Sequence, residues 1–321
     1  GVSHVQPVYR IRWADNPRVL PAEYLYTPVR AKFADGAAPV NDPEIGKQWH
    51  YHNDGSAWAW KTGADINLFE AWEKFNAGRP EVIVAVVDMG VQYDHPDLAA
   101  NMWVNEAELN GAPGVDDDGN GYVDDVYGYN FDKDTGAIEP GGHGTHCAGT
   151  IAAVNNNGIG VCGVAGGTGV GDGARLMSCQ IFAPNDASES DYPDVYRYAA
   201  DNGAVISQNS WNYPMINILP EDMSVAFDYF IDNAGIGPDG EQTGPMKGGV
   251  IIFAAGNEFS PKVGCPSDDP RVITVTSMMA DYVKASYSNY GTEADIFAPG
   301  GAGERDAAFP QQGQVYSTGL D

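Results

Sequence analysis

Residues 81–88 read Glu81-Val82-Ile83-Val84-Ala85-Val86-Val87-Asp88. Glu81 to Val87 is the run of a strand buried on both faces of a parallel sheet, and it delivers an acid at its C-terminal end. Similar runs recur at Ala174–Phe182, Ala204–Gln208, Gly249–Ala254 and Arg271–Ser277, with helical stretches between them. In one, Met223, Ala226, Phe227, Phe230 and Ile231 keep the helical period, Glu221 and Asp222 fill the first turn, and Gly235 follows the end. Strands alternating with helices predict an α/β domain. Its central sheet is doubly wound and mostly parallel, with helices on both faces.

The chain has 321 residues, 43% of them apolar, enough for one large domain with a proper core. Lys and Arg number 17 against 44 Asp and Glu, a formal charge of −27. That acidity argues against nucleic acid or anionic membranes as partners and suits a soluble, cation-binding protein. No apolar run has the length of a membrane span. No signal peptide opens the sequence, and the expectation is that a targeting segment has been removed. Cys147, Cys162, Cys179 and Cys265 fit no zinc spacing, so mostly free, buried thiols are expected, with a Cys162–Cys179 bridge as the alternative. Residues 1–40, rich in Pro and Arg and without a period, read as an arm or linker before a domain at 41–321. Stretches 110–142, 234–248 and 300–313 read as long loops.

Asp88 ends its strand where open α/β sheets place ligands. His143 sits among Gly141, Gly142 and Gly144, directly before an Ala-rich helix expected over Cys147–Val154, and that bareness suits an imidazole a substrate must approach. The expected roles are proton transfer by His143 and fixation of its tautomer by Asp88. Asn257 follows a strand and Gly256, so its amide is placed to donate to a developing oxyanion. Singly, each has an ordinary explanation as a cap, a turn residue or a structural histidine. Their order and context join them.

From about Asn41 to Asp321 the sequence resembles the subtilisin-like serine peptidases, the subtilases. The segments that carry the likeness are Val86 to Val91, His95-Pro96-Asp97-Leu98, His143 to Thr150 and Ser207-Gln208-Asn209-Ser210-Trp211. Others are Ala254-Ala255-Gly256-Asn257-Glu258, Ser288-Asn289-Tyr290-Gly291 and Ala298-Pro299-Gly300. The resemblance implies a serine endopeptidase acting on polypeptides through an Asp/His/Ser triad, secreted or at the cell surface. It gives Asp88, His143 and Asn257 the acid, base and oxyanion roles. Ser210, Trp211 and Asn212, with Ala255 and Gly256, would flank an extended peptide added as a strand. Glu258 would sit at the mouth of the first specificity pocket and favour basic residues. Cys147 beside the base is shared with proteinase K-like members and predicts mercurial sensitivity.

Three departures stand out. The family's Gly-Thr-Ser-Met-Ala segment, with a Pro after it, does not occur in this sequence. Ser277, in Thr276-Ser277-Met278-Met279-Ala280, lacks the flanking Gly and Pro and completes a structural strand, while Ser317 and Thr318 fall in the strand that precedes the nucleophile in the family. This stretch alone is therefore expected to be inactive, its partner being a C-terminal fragment that holds the serine. A truncated piece, a nicked enzyme and a pseudopeptidase that binds peptides without cleaving them all fit this pattern. Met89 replaces the family's hydroxyl residue after the Asp, and Asn212 replaces a Gly at the substrate edge.

Calcium is the expected cofactor. Asp116, Asp118 and Asn120 occupy loop positions one, three and five, Gly121 the sixth, and the carbonyl of Tyr122 the seventh, with Asp124 or Asp125 beyond. Likeness to thermitase and subtilisin implies a second site from Asp42, Asp97 and Asn157 with the carbonyls of Val154, Ile159 and Val161. Asn130, Asp132 and Asp134 form a third candidate. His143-x-x-His146 lacks the intervening Glu of a zinc-peptidase helix, so zinc is not expected. By resemblance Gly1 to Tyr9 is the tail of a propeptide that fills the cleft until cleaved; an ordinary surface strand is the other reading.

Overall fold

A computed structural model describes residues 39–57, 60–183, 192–213, 218–237, 239–303 and 313–320. The propeptide-like tail at 1–9 and most of the expected arm lie outside them.

Seven parallel strands form one sheet in the order β2-β3-β1-β4-β5-β6-β7. They are β1 Ile83–Met89, β2 Gly128–Asn130, β3 Arg175–Phe182, β4 Ile206–Asn209, β5 Val250–Ala254, β6 Ile273–Met278 and β7 Ile296–Pro299. The helices are α1 Leu68–Lys74, α2 Glu106–Leu109, α3 Gly142–Ala152, α4 Asp194–Asp201 and α5 Glu221–Asn233. The doubly wound expectation holds, because successive β1 residues feed opposite cores. Ala85 and Val87 pack with Tyr196, Phe227 and Phe230 of α4 and α5, while Val86 packs with Ala148 and Ala152 of α3. A strand covered on both faces favours apolar residues throughout, and residues 82–87 carry no polar side chain.

β2 and β7 went unpredicted. β2 spans only three residues inside the expected loop 110–142, and β7 lies at the sheet edge with Ile296 and Phe297 exposed. Neither offers a buried apolar run to read. Ser317 and Thr318 are not in a strand, contrary to expectation. Their hydroxyls instead donate to the α3 carbonyls of His146 (2.8 Å) and Thr145 (2.7 Å), so the segment lies across the helix. All four cysteines are free. Cys162 lies in a small core with Tyr51 and Leu68, whereas Cys179 lies in the main core, so the alternative bridge is not formed.

α3 begins five residues earlier than expected, at Gly142, so His143 lies inside its first turn. The glycines around it serve packing more than substrate access. A Cβ on Gly144 would stand 2.0 Å from the Met89 carbonyl oxygen, and one on Gly141 would stand 2.5 Å from the Met89 Cβ. Only Gly142 faces open space, with nothing nearer than Leu320 at 4.0 Å. Gly144→Ala is therefore expected to cost about 1–3 kcal/mol as an overpacked contact. Gly142→Ala should fall within about 1 kcal/mol of zero. Urea denaturation of the two variants checks this, and equal midpoints would contradict the close approach.

Candidate functional site

β1 is the strand at which the chain reverses its order of building. After β1 it fills one side with β2 and β3, and then crosses to begin β4 on the other. Crevices outside the carboxyl ends of strands at such a point are where open sheets bind ligands. Val87 pairs with Asn209 and Asn209 with Phe253, so Asp88, Ser210 and Ala254 stand level at that edge. Between Asp88 and Met89 the pairing with β3 slips by one residue, a bulge that turns the strand end.

The Asp88 side chain is buried at 2% exposure and the His143 side chain is 53% exposed. His143 Nδ1 lies 2.7 Å from Asp88 Oδ1. A carboxylate only accepts, so Nδ1 carries the proton and Nε2 presents its lone pair at the surface. The hydrogen bond to Asp88 raises the His143 pKa above the ordinary 6.5, against the opposing effect of burial. Met89 brings no side-chain hydroxyl, but its backbone N–H donates to Asp88 Oδ1 at 2.7 Å. Cys147 Sγ sits 3.9 Å from Asp88 Oδ2 and 3.7 Å from Ser210 Oγ. Burial pushes its thiol up to about 12, and the Asp88 charge adds to this. His146 Nε2 lies 3.1 Å from the Val315 carbonyl.

On the other side of the crevice, Gly256 has φ +92°, a left-handed conformation that favours glycine, and it turns the chain out of β5. Asn257 and Glu258 are exposed while Ala255 and Gly256 are buried. One Glu258 carboxylate oxygen accepts from the Asn257 N–H (3.1 Å) and from Asn289 Nδ2 (2.8 Å), so this acid is engaged with its own loop. Ser210 Oγ accepts from Gln208 Nε2 at 2.5 Å, and Asn212 is half-buried. The Trp211 indole turns into the core. It is buried against Tyr213 and Phe253 and donates to Asn209 Oδ1 at 3.2 Å, leaving only its backbone at the edge. Ser277, on β6, has its Oγ in a 2.6 Å hydrogen bond with the Tyr287 hydroxyl of the following segment.

Asp42 and Asp97 are both buried, and desolvation raises both carboxyls, Asp97 further through the Asp42 charge. Asp97 accepts from Asn157 Nδ2 (2.7 Å) and the Val161 N–H (2.8 Å), which gathers the loop after α3 around it. Asp42 Oδ1 is buried and has no hydrogen-bond partner among the described residues. Among the described residues, the carbonyls of Val154, Ile159 and Val161 accept no hydrogen bond either. A buried carboxylate oxygen is rarely left so, and Asp42, close enough to Asp97 to raise its carboxyl and beside oxygen-bearing loop residues, fits a hard divalent cation.

In the second loop, Asp116 and Asp118 lie with Glu108 in one group, their nearest oxygens within 4.8 Å. Glu108 went unread because it precedes the loop, at the end of α2. It accepts from the N–H groups of Asp117 (2.6 Å) and Asp124 (2.9 Å). Asn120 Oδ1 accepts from the Tyr122 N–H at 2.7 Å. Asp125 is fully buried and holds Asn105 Nδ2 (2.8 Å), the Tyr198 hydroxyl (2.7 Å) and Asn120 Nδ2 (3.1 Å). The third candidate has separate partners: Asn130 takes the Lys133 N–H, Asp132 the Tyr192 hydroxyl and Asp134 the Tyr129 hydroxyl.

Residues 79–319 match the model of the subtilase family. Halolysin of Haloferax mediterranei is 30% identical over 264 residues, and an extracellular protease of Xanthomonas campestris is 30% identical over 277. Each alignment takes in 81% of this chain but only 40% and 42%, respectively, of the relative, so the chain spans less than half their length. Subtilisin-like protease 1 of Plasmodium vivax is 50% identical over 107 residues, 32% of this chain and 17% of that protein. Among solved structures, an Aeromonas sobria serine protease in complex with its chaperone superposes with TM-score 0.59 at 24% identity. That superposition covers 83% of this chain and 44% of the other and shows the shared fold. With more than half of its residues matching the family model, the chain belongs to the subtilase family.

Proposed function

We propose that this chain supplies the acid–base pair and the oxyanion donor of a secreted serine endopeptidase, with the nucleophilic serine contributed by sequence other than residues 1–321. The observation that carries this reading is the 2.7 Å contact of His143 Nδ1 with the buried Asp88, which leaves Nε2 open at the C-terminal edge of the sheet. His143 takes the proton of the serine as it attacks the scissile carbonyl and returns it to the leaving amine. Asp88 holds the tautomer and stabilises the imidazolium. The Asn257 amide donates to the tetrahedral oxyanion, and water then releases the acyl group. The substrate is a polypeptide laid along the backbone of 210–212 and 254–256. Secretion is supported by the relatives named halolysin and extracellular protease, and no helix among the described residues is long and apolar enough to cross a membrane.

A fluorophosphonate serine probe tests the division of labour. The full-length protein should label while residues 1–321 alone do not. A full-length protein that binds peptides but never labels would favour the non-catalytic reading instead.

Protonated His143 cannot accept a proton, and Asp88 holds that form to higher pH than usual. kcat/KM of the full-length enzyme should therefore rise with pH through one ionisation above 6.5. Asp88→Asn should lower kcat by about 10⁴, the size seen in a trypsin-type triad. A pH-independent rate below pH 6.5 would contradict His143 as the base.

Calcium is the proposed structural ion. Asp42, Asp97 and Asn157 with the carbonyls of Val154, Ile159 and Val161 would hold one ion, and Glu108, Asp116, Asp118 and Asn120 with the Tyr122 carbonyl another. Asp125 would steady that second loop. The ion neutralises buried carboxylates and ties the loop after α3 to the start of the domain. Millimolar calcium should raise the melting temperature, and Asp97→Asn should remove part of that gain. An identical calcium response in wild type and variant, read by calorimetry, would rule the Asp97 site out.

A further inference from the structure

The loop that presents Asn257 is tied down through one buried side chain. Asn289 is fully buried at 0% exposure, in the segment between β6 and β7. Its Oδ1 accepts from the backbone N–H groups of Glu258 and Ser260, both at 2.9 Å. Its Nδ2 donates to Glu258 Oε2 at 2.8 Å, and its own backbone N–H donates to the Gly256 carbonyl at 3.0 Å. Two main-chain bonds of 2.8 Å, Phe259 N–H to the Tyr287 carbonyl and Tyr290 N–H to the Ser260 carbonyl, finish the attachment. Phe259 is held there at φ +54°, a conformation a non-glycine residue does not keep without such support. The Asn257 side chain is left exposed and, among the described residues, without a hydrogen-bond partner.

We propose that Asn289 is a positioning residue for peptide hydrolysis, fixing the loop so that the Asn257 amide stands ready for the oxyanion before substrate arrives. The inference rests on the reading of Asn257 as the oxyanion donor. A donor aimed in advance needs no reorganisation at the moment charge develops. The chemistry at position 289 demands a carboxamide. It must accept from two N–H groups and also donate to a carboxylate, which Asp cannot do and a shorter side chain cannot reach.

The test is a double-mutant cycle in the full-length enzyme, with a chromogenic peptide substrate. Asn257→Ala sets the scale; removing such a donor in subtilisin, itself a member of this family, costs about 10²–10³ in kcat. Asn289→Ala is expected to lower kcat by about 10- to 100-fold while KM changes by less than about threefold. In the Asn257→Ala background the same change should cost less than about twofold, because no amide remains to be aimed. Asn289→Asp should be worse than Asn289→Ala, since it sets a carboxylate against Glu258, and adding Glu258→Gln should restore kcat by returning a donor to that contact. An unchanged kcat in Asn289→Ala, or an equal loss in both backgrounds, overturns the proposal. Should the wild type not hydrolyse peptides, the functional reading fails and the catalytic role with it. Amide hydrogen exchange then decides the anchoring alone: faster exchange at Glu258 and Ser260 in Asn289→Ala retains it, and unchanged exchange removes it.

Discussion

The close approach of the α3 backbone to the end of β1 is the constraint on which the rest of the site depends. A helix and a strand can meet this tightly only where side chains are missing, and Gly141 and Gly144 supply that gap against Met89. The contact sets the first turn of α3 beside the last residues of β1. A buried carboxylate and a half-exposed imidazole then come within hydrogen-bond distance without any loop having to fold between them. Both groups sit on regular elements packed into one core, so their geometry is as rigid as that core. The bulge after Asp88 and the N–H of Met89 complete the local fit.

The parallel sheet does the remaining assembly. Its strands end at a common edge, so Asp88, Ser210 and the turn at Gly256 are brought level by register, although long stretches of sequence separate them. What the sheet cannot do is fix the loops that leave it, and each is tied by polar groups. The segment at 313–320 lies over α3 through Ser317 and Thr318, and the loop after α3 closes on Asp97. A surface carrying a formal −27 repels itself, and gathering carboxylates around oxygen-rich cradles concentrates that repulsion. Bound cations would relieve it there, which links the composition of the chain to the proposed ion sites.

Much of this could be read in the sequence, for identifiable reasons. The five buried strands announced themselves as largely apolar runs, although Ser178, Gln180, Ser207, Thr274 and Thr276 carry buried polar side chains within them. Asp88 stood out at the C-terminal end of its apolar strand, and His143 and Asn257 because each has a glycine beside it at the start or end of a regular element. The rest depended on partners distant along the chain. β2 and β7 are too short or too exposed to leave a pattern, and Glu108 joins Asp116 and Asp118 only through the fold. Trp211 sits in a segment whose backbone faces the crevice while its indole turns into the core, a choice of side that a matching motif does not reveal. Asn289 gave no local sign of its hydrogen bonds to a loop about thirty residues earlier.

The central claim is that Asp88 holds His143 as a proton acceptor with Nε2 open, and nitrogen-15 NMR of the histidine rings tests it most directly. Residues 1–321 suffice, because the measurement needs no turnover. The account predicts a strongly downfield proton on His143 Nδ1, lost in Asp88→Asn, and a titration midpoint above 6.5. A His143 ring protonated on Nε2 when neutral, or titrating at or below 6.5 with no change in Asp88→Asn, would contradict it.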